Sequence, residues 1–316
     1  MPTVETARGP IDVEQLGFTL SHEHVLTSSA GIAHTYPELI GDMQANLREA
    51  AEELGRAFAG GVRSIVDVTT LDLGRDVRFL ADVSRESGVQ IVCATGIWRD
   101  IPRTLAQRTP DVIAGLFERE ITRGIEETGI KAGVIKVAND AEGVTEAGER
   151  VLRGAARACL RTGVPISTHS YAPGRVGDQQ WAIFRDEGVP PDRVYIGHSN
   201  DTTDLDYLTG LLRQGLWLGF DRYPGGRSGG PRWEERTETL NRLIEAGYAG
   251  QLMLGHDWSA VSGTSPGPER RATNPDSYLF ITNRVLPRLL DLGVADSDLR
   301  RMMVENPARY LTRTQG

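Results

Sequence analysis

Along this chain, short runs of apolar and β-branched residues alternate with longer stretches whose apolar positions recur at helical spacing. The runs are FTLSHEHV, SIVDVTT, IVCATGI, AGVIKVA, PISTHS, VYIGHS, LWLGFD and QLMLGHD, starting at Phe18, Ser64, Ile91, Ala132, Pro165, Val194, Leu216 and Gln251. Runs so short and so continuously apolar suit strands buried on both faces. Most of the intervening gaps carry a helix pattern. After the third run, Thr109 and Pro110 read as N-cap and first helical residue, and Val112, Ile113, Leu116, Phe117 and Ile121 form an apolar stripe. Helical stretches end in glycine before the next strand in ARACLRTGVPI and LIEAGYAGQLML. Parallel strands need covering crossovers, and eight of them close a sheet on itself. The pattern therefore predicts an α/β fold, a (β/α)8 TIM barrel. No low-complexity segment or linker divides the chain, so residues 1–316 are expected to form one barrel domain.

Composition narrows the class. The 316 residues are 39% hydrophobic and 25% charged, ordinary for a globular chain with a sizeable core. The formal charge of −8 argues against a general binder of nucleic acid or anionic membranes. The opening MPTVETARGPIDVEQLG has no basic segment leading into an apolar core, and no run approaches membrane-spanning length. A cytoplasmic location is expected. Cys93 and Cys159, the only cysteines, make no Cys-x-x-Cys pair and read as reduced and structural.

The chemistry-bearing residues cluster at the ends of the runs. His22 and His24 sit two apart in the first, so on a strand they share a face while Glu23 points away. Such a pair can grip one metal ion, or it can be two hydrogen-bonded surface imidazoles. Lys136 lies in the fourth run, His169 ends the fifth, His198 the sixth and Asp257 the eighth, so all six can converge on the carboxyl-terminal mouth of a barrel. Core packing alone does not explain four histidines at strand ends, since a buried imidazole needs a partner. His256 adjoins Asp257 and should face outward in a structural role; His34 lacks any spacing signal and is expected at the surface. The Gly- and Pro-rich stretches RYPGGRSGGPRW and WSAVSGTSPGPERRATNPDS follow the seventh and eighth runs, where a barrel places the mobile walls of a substrate pocket.

Lys136 is the sharpest clue. An ammonium inside AGVIKVA costs several kcal/mol to bury unless it is paired, deprotonated or modified. It can form a Schiff base, hold a phosphate, or react with carbon dioxide to give a carbamate. A cationic lysine beside four imidazoles would repel metal ions, and the carbamate removes that conflict.

These residues resemble the phosphotriesterase family of the amidohydrolase superfamily. The likeness runs from TARGPI to VENPARYL and is carried by HEHV, TGIW, GIEETGIKAGVIKVA, THS, RDEGV, IGHSND and GHDW. It implies two divalent metal ions, zinc first, with cobalt, manganese or iron as alternatives. His22, His24 and Asp257 would hold one ion, and His169 and His198 the other. Lys136, as N6-carboxylysine, and a hydroxide would bridge them. Asp257 would accept the proton as the hydroxide attacks. By the same resemblance Trp98 lines the leaving-group side, Tyr223 and Arg222 face substrate, and Asp201 relays a proton from Asp257. Arg222 stands where some phosphotriesterases carry a histidine, a departure that puts this relay in question.

The family divides into phosphotriesterases, which cleave organophosphates such as paraoxon, and phosphotriesterase-like lactonases, which open acyl lactones. TGIW and NPDSYLFITNRVLP resemble the first group; the short loop after strand seven and DRY resemble the second. Phosphotriester hydrolysis is the leading expectation and lactone opening the alternative. The expected partner is a small ester or lactone, with neither nucleic acid nor membrane, and the resemblance adds a homodimer. A superfamily nuclease would place Glu on strand four. A Schiff-base lyase leaves the histidines unexplained, and a non-catalytic metal-binding protein would hold metal without turning over an ester.

Overall fold

The computed structural model describes residues 2–225, 230–265 and 267–313. A hairpin of β1 (Thr3–Thr6) and β2 (Gly9–Asp12) precedes the barrel; the hydrophobic pattern does not foretell it, because TVET and GPID hold no continuous apolar run. The barrel strands are β3 (Thr19–Thr27), β4 (Ser64–Asp67), β5 (Gln90–Ile97), β6 (Val134–Ala138), β7 (Ile166–His169), β8 (Val194–Ile196), β9 (Trp217–Phe220), β10 (Leu252–Leu254) and β11 (Ser259–Ser262). Each of the eight expected strands is present, and the starts agree to within the two residues between Ala132 and Val134. All neighbours pair in parallel, in the order β10-β9-β8-β7-β6-β5-β4-β3-β11. Because β10 runs on into β11, which pairs with β3, the two are halves of one interrupted eighth strand that closes the barrel.

The helices follow from their caps. Thr109 accepts from the backbone of Val112 at the start of Pro110–Thr122, and Thr145 does the same for Gly148 at the start of Glu146–Thr162. Gly163, in the left-handed region, ends the latter. One expected stripe position fails: Val112 is exposed, and Ile113, Ala114, Phe117 and Ile121 form the buried face instead. Between helices and sheet lies the larger apolar core, with Ile65, Ile91, Ile135, Phe184 and Leu243 among its members. A second core fills the barrel interior with Leu16, Val66, Val92, Val134, Tyr195 and Met253, floored by Tyr310 and Leu311. Val134 and Lys136 share strand parity, so Lys136 stands on the same inward face, one layer above this plug.

Two irregularities shape the mouth. Pairing of β3 with β4 shifts by one residue between Leu20 and Glu23, so β3 carries a bulge there. Leu20 packs outward, yet Ser21 bonds the inward Tyr195 hydroxyl at 2.9 Å. Beyond the bulge His22 and His24 both face the interior, which strict alternation from Leu20 alone does not explain. The second irregularity is the break at residues 255–258. There the outward Glu23 carboxylate, fully buried, accepts from the backbone of His256 at 2.8 Å and of Trp258 at 3.1 Å, and meets the His256 ring at 2.7 Å. His256 in turn accepts from the Ile281 backbone, so it is structural, as expected.

Replacing Glu23 by Ala strands three donors in the interior. Chemical denaturation of E23A is expected to show a loss of about 3 kcal/mol or more; a change within ordinary surface-mutation scatter would mean that the gap in strand eight closes without this brace.

Candidate metal centre and active site

The six residues expected at the barrel mouth are brought together. Nε2 of His22 lies 3.6 Å, and Nε2 of His24 3.2 Å, from Oδ1 of Asp257. Lys136 Nζ sits 3.2 Å from His22 Nε2 and is 1% exposed. On the other side, His169 Nδ1 and His198 Nε2 are 2.9 Å apart. His198 and Asp257 both have left-handed backbone, φ 59° and 54°. Such conformations cost energy in a non-glycine residue, and they turn both side chains into the mouth just beyond the strand ends.

What fixes the imidazoles is a layer of partners beneath them, most of which sequence reasoning missed. Asp221, wholly buried at the end of β9, touches the Nδ1 atoms of His22 (2.8 Å) and His198 (3.0 Å), one with each oxygen. It also accepts from the His198 backbone at 2.7 Å and from the Tyr195 hydroxyl at 2.8 Å. Both oxygens are therefore occupied, and Asp221 serves as an orienting carboxylate although it lies close enough to the two histidines to form a ligand-like group. The available signal was an aspartate ending the apolar run LWLGFD, the same anomaly that marks Lys136. His24 Nδ1 is 2.8 Å from Thr69 Oγ1, and the Asp67 carboxylate holds the Thr69 backbone. Because a carboxylate can only accept, His22 and His198 carry their protons on Nδ1 and turn their Nε2 lone pairs inward.

Burial decides the charge states. It lowers His22 and His198, and takes His169 down to about 4, so these rings are neutral at physiological pH. It pushes Lys136 down to about 7, with Asp257 and Asp221 opposing it. Burial would raise Asp257, but the surrounding imidazoles and the Arg222 guanidinium outweigh it and hold the carboxylate well below its ordinary range. Neutral imidazoles and an ionised carboxylate form a donor set that suits zinc-like ions, and His22, His24 and Asp257 each offer a ligand atom within 4.8 Å of the others.

The remaining expected residues line a cavity of about 620 Å³ above this centre. Trp98 Nε1 lies 3.4 Å from His169 Nδ1, and the two rings meet edge to face. Arg222 does not pair with the adjacent Asp221. Its Nε donates to Asp257 at 3.0 Å and its Nη1 to Asp201 at 2.6 Å, while Arg236 grips the other Asp201 oxygen at 2.7 Å. A guanidinium thus stands between the two carboxylates of the expected relay. Tyr223 borders the cavity but is 1% exposed, with its hydroxyl shut off from solvent, so it offers wall rather than a polar contact. Cys93 and Cys159 are buried free thiols, pushed upward by desolvation, Cys159 to about 12. His34 is exposed. Residues 226–229 of the loop after strand seven lie outside the described residues. Among the described residues no helix is long and apolar enough to cross a membrane.

A sequence profile of the phosphotriesterase family matches residues 2–311. The chain is 41% identical over its whole length to a phosphotriesterase homology protein of Mycobacterium tuberculosis, covering 99% of that protein. It is 36% identical to an aryldialkylphosphatase of Saccharolobus solfataricus, covering 96% of this chain and 97% of the relative. Among solved structures, the phosphotriesterase from Mycobacterium tuberculosis superposes with a TM-score of 0.95 at 40% identity, over 100% of both chains.

Metal analysis of purified variants tests the centre. K136A and H22A are each expected to retain fewer ions than the wild-type protein, and an unchanged two-ion stoichiometry in both would refute the ligand assignment. D221N, which keeps its size but loses its charge, is expected to weaken metal binding by about tenfold or more in chelator competition.

Proposed function

We propose, since the chain belongs to the phosphotriesterase family, that it hydrolyses neutral phosphotriesters, of which paraoxon is an example, at a binuclear centre. The observation that carries this reading is the charge balance of the cavity wall. Each arginine described there is already committed to a carboxylate: Arg99 to Asp140, Arg222 to Asp257 and Asp201, and Arg236 to Asp201. Trp98, Tyr171, Pro173, Pro224 and Trp258 supply apolar surface. An anionic substrate would find no uncommitted cation among these residues, whereas a neutral ester loses little on entering.

In this reading His22, His24 and Asp257 would hold one divalent ion and His169 and His198 the other, with zinc favoured and cobalt, manganese or iron compatible with the same donors. Two such ions, when bound, supply an ionised water at neutral pH and polarise the phosphoryl oxygen. Lys136 would join the ligand set as N6-carboxylysine. Its neutral amine nitrogen bonds to the carbon of carbon dioxide, a C–O π pair moves onto oxygen, and one proton leaves to solvent. A buried neutral amine would thereby become an anion able to serve as a ligand to divalent ions.

Asp257 takes the proton released as the attacking oxygen bonds to phosphorus. Arg222 remains protonated throughout, its pKa raised by the two carboxylates despite burial. It keeps Asp257 ionised and aimed, and passes charge compensation, rather than a proton, towards Asp201. Trp98 bounds the leaving-group side. Lactone opening is the second reading, favoured by the size of the cavity, which at about 620 Å³ also has room for an acyl chain.

The direct test is kcat/KM of the metal-loaded protein for paraoxon and for a long-chain acyl-homoserine lactone, measured side by side. Preference for paraoxon is expected. Preference for the lactone would transfer the assignment to the second reading, and turnover of neither would remove both.

A further inference from the structure

The leaving-group wall is attached to the metal centre through a pair of residues with no role so far. Asp140 follows β6 in a tight turn in which its backbone pairs with Gly143. Its Oδ1 accepts from the Ala141 backbone at 2.8 Å, which aims Oδ2 into the mouth. That single oxygen lies 3.5 Å from Nε2 of His169 and also bonds Nη1 of Arg99. The Arg99 guanidinium sits 5.4 Å over the ring of Trp98, and the edge of Trp98 returns to His169, closing a ring of four side chains. From below, the buried Asp72 carboxylate holds the backbone of Trp98 at 2.9 Å and of Asp100 at 3.1 Å, and is itself fixed by the Thr70 hydroxyl.

We propose that Arg99 and Asp140 form a clasp that positions the Trp98 indole and the His169 imidazole as one unit, making Arg99 a positioning residue for leaving-group specificity and Asp140 the orienting carboxylate of His169. His22 and His198 share Asp221, and His24 has Thr69. His169 is the remaining imidazole, and Asp140 is the carboxylate that reaches its outer nitrogen. A carboxylate on the far nitrogen of a ligating imidazole fixes ring orientation and strengthens the donor. Arg99 tempers that pull by sharing the same oxygen, and its flat face limits how far the indole can tilt. The half-exposed guanidinium, at 40% of its side-chain surface, makes this clasp removable without opening the core.

The specificity half rests on the proposed hydrolytic function; the metal half does not, so the two are measured separately. In D140N, equilibrium dialysis against a chelator is expected to show one of the two ions held about tenfold or more weakly, with an unchanged circular dichroism spectrum. In R99Q, KM for a triester with an aryl leaving group is expected to rise about two- to fivefold, the size of an exposed cation–π contact. KM for a trialkyl ester should stay near wild type, kcat should change less than KM, and R99K should restore much of the loss. Wild-type metal retention in D140N overturns the orienting role, whatever the enzyme hydrolyses. An R99Q defect equal for aryl and alkyl esters, or none, overturns the specificity role. If the wild-type protein turns over neither ester, the functional reading falls while the dialysis result still decides on Asp140.

Discussion

The centre depends on one buried carboxylate having more partners than charge. Asp221 has no contact with water, and burial alone would favour its neutral form; two imidazoles, a backbone amide and a tyrosine hydroxyl keep it ionised. The geometry of the mouth follows from that anion. It draws the Nδ1 atoms of His22, on β3, and of His198, just beyond β8, onto its two oxygens, so their Nε2 atoms turn upward together. An aliphatic residue here would leave both rings without a fixed tautomer and Tyr195 without an acceptor.

Around this anchor the sheet departs from regularity where the chemistry requires it. The bulge in β3 lets Ser21 and His22 both face inward. Left-handed backbone at His198 and Asp257 raises side chains that a continuing strand would have directed along its face. At Gly96, beside Lys136, a Cβ would come within 1.9 Å of the Lys136 carbonyl oxygen, so only glycine permits β5 to pass there. Strain and close approach gather at the carboxyl ends of the strands, above an interior packed in ordinary apolar layers.

Much of this was legible in the sequence because it rests on periodicity and on polar residues in apolar surroundings. Eight buried strands announce themselves as apolar runs, and Lys136, His169, His198 and Asp257 stand out within or just beyond such runs. The β1–β2 hairpin, the bulge and the break in strand eight are set by hydrogen-bond register, which composition does not encode. Asp221 carries the same signal as Lys136, a charged residue closing an apolar run, but nothing in the sequence ties it to His22 and His198. Asp140, Thr69 and Arg236 lie in turns or on helices, where polar residues are common, and only three-dimensional contact distinguishes them. The committed arginines of the cavity illustrate the same limit: charge is visible in a sequence, but its neutralisation is not.

The broken eighth strand has a bearing on how such a protein can diversify. Asp257 is held through Glu23 and the β3 backbone, on the first strand of the barrel, and the segment that follows meets this brace only far along, where the Ile281 backbone donates to His256 and the Tyr278 hydroxyl to the His24 carbonyl. Before that point its attachments are separate from the brace: Trp258 and Ser277 on Glu53, and Arg270 on the Ala260 and Ser265 carbonyls. Insertions or exchanges between these tie points would alter the roof of the cavity while leaving the metal-facing carboxylate in register. The architecture thus anchors the metal-facing carboxylate and the cavity roof at different points, so the roof can be reshaped without disturbing the carboxylate.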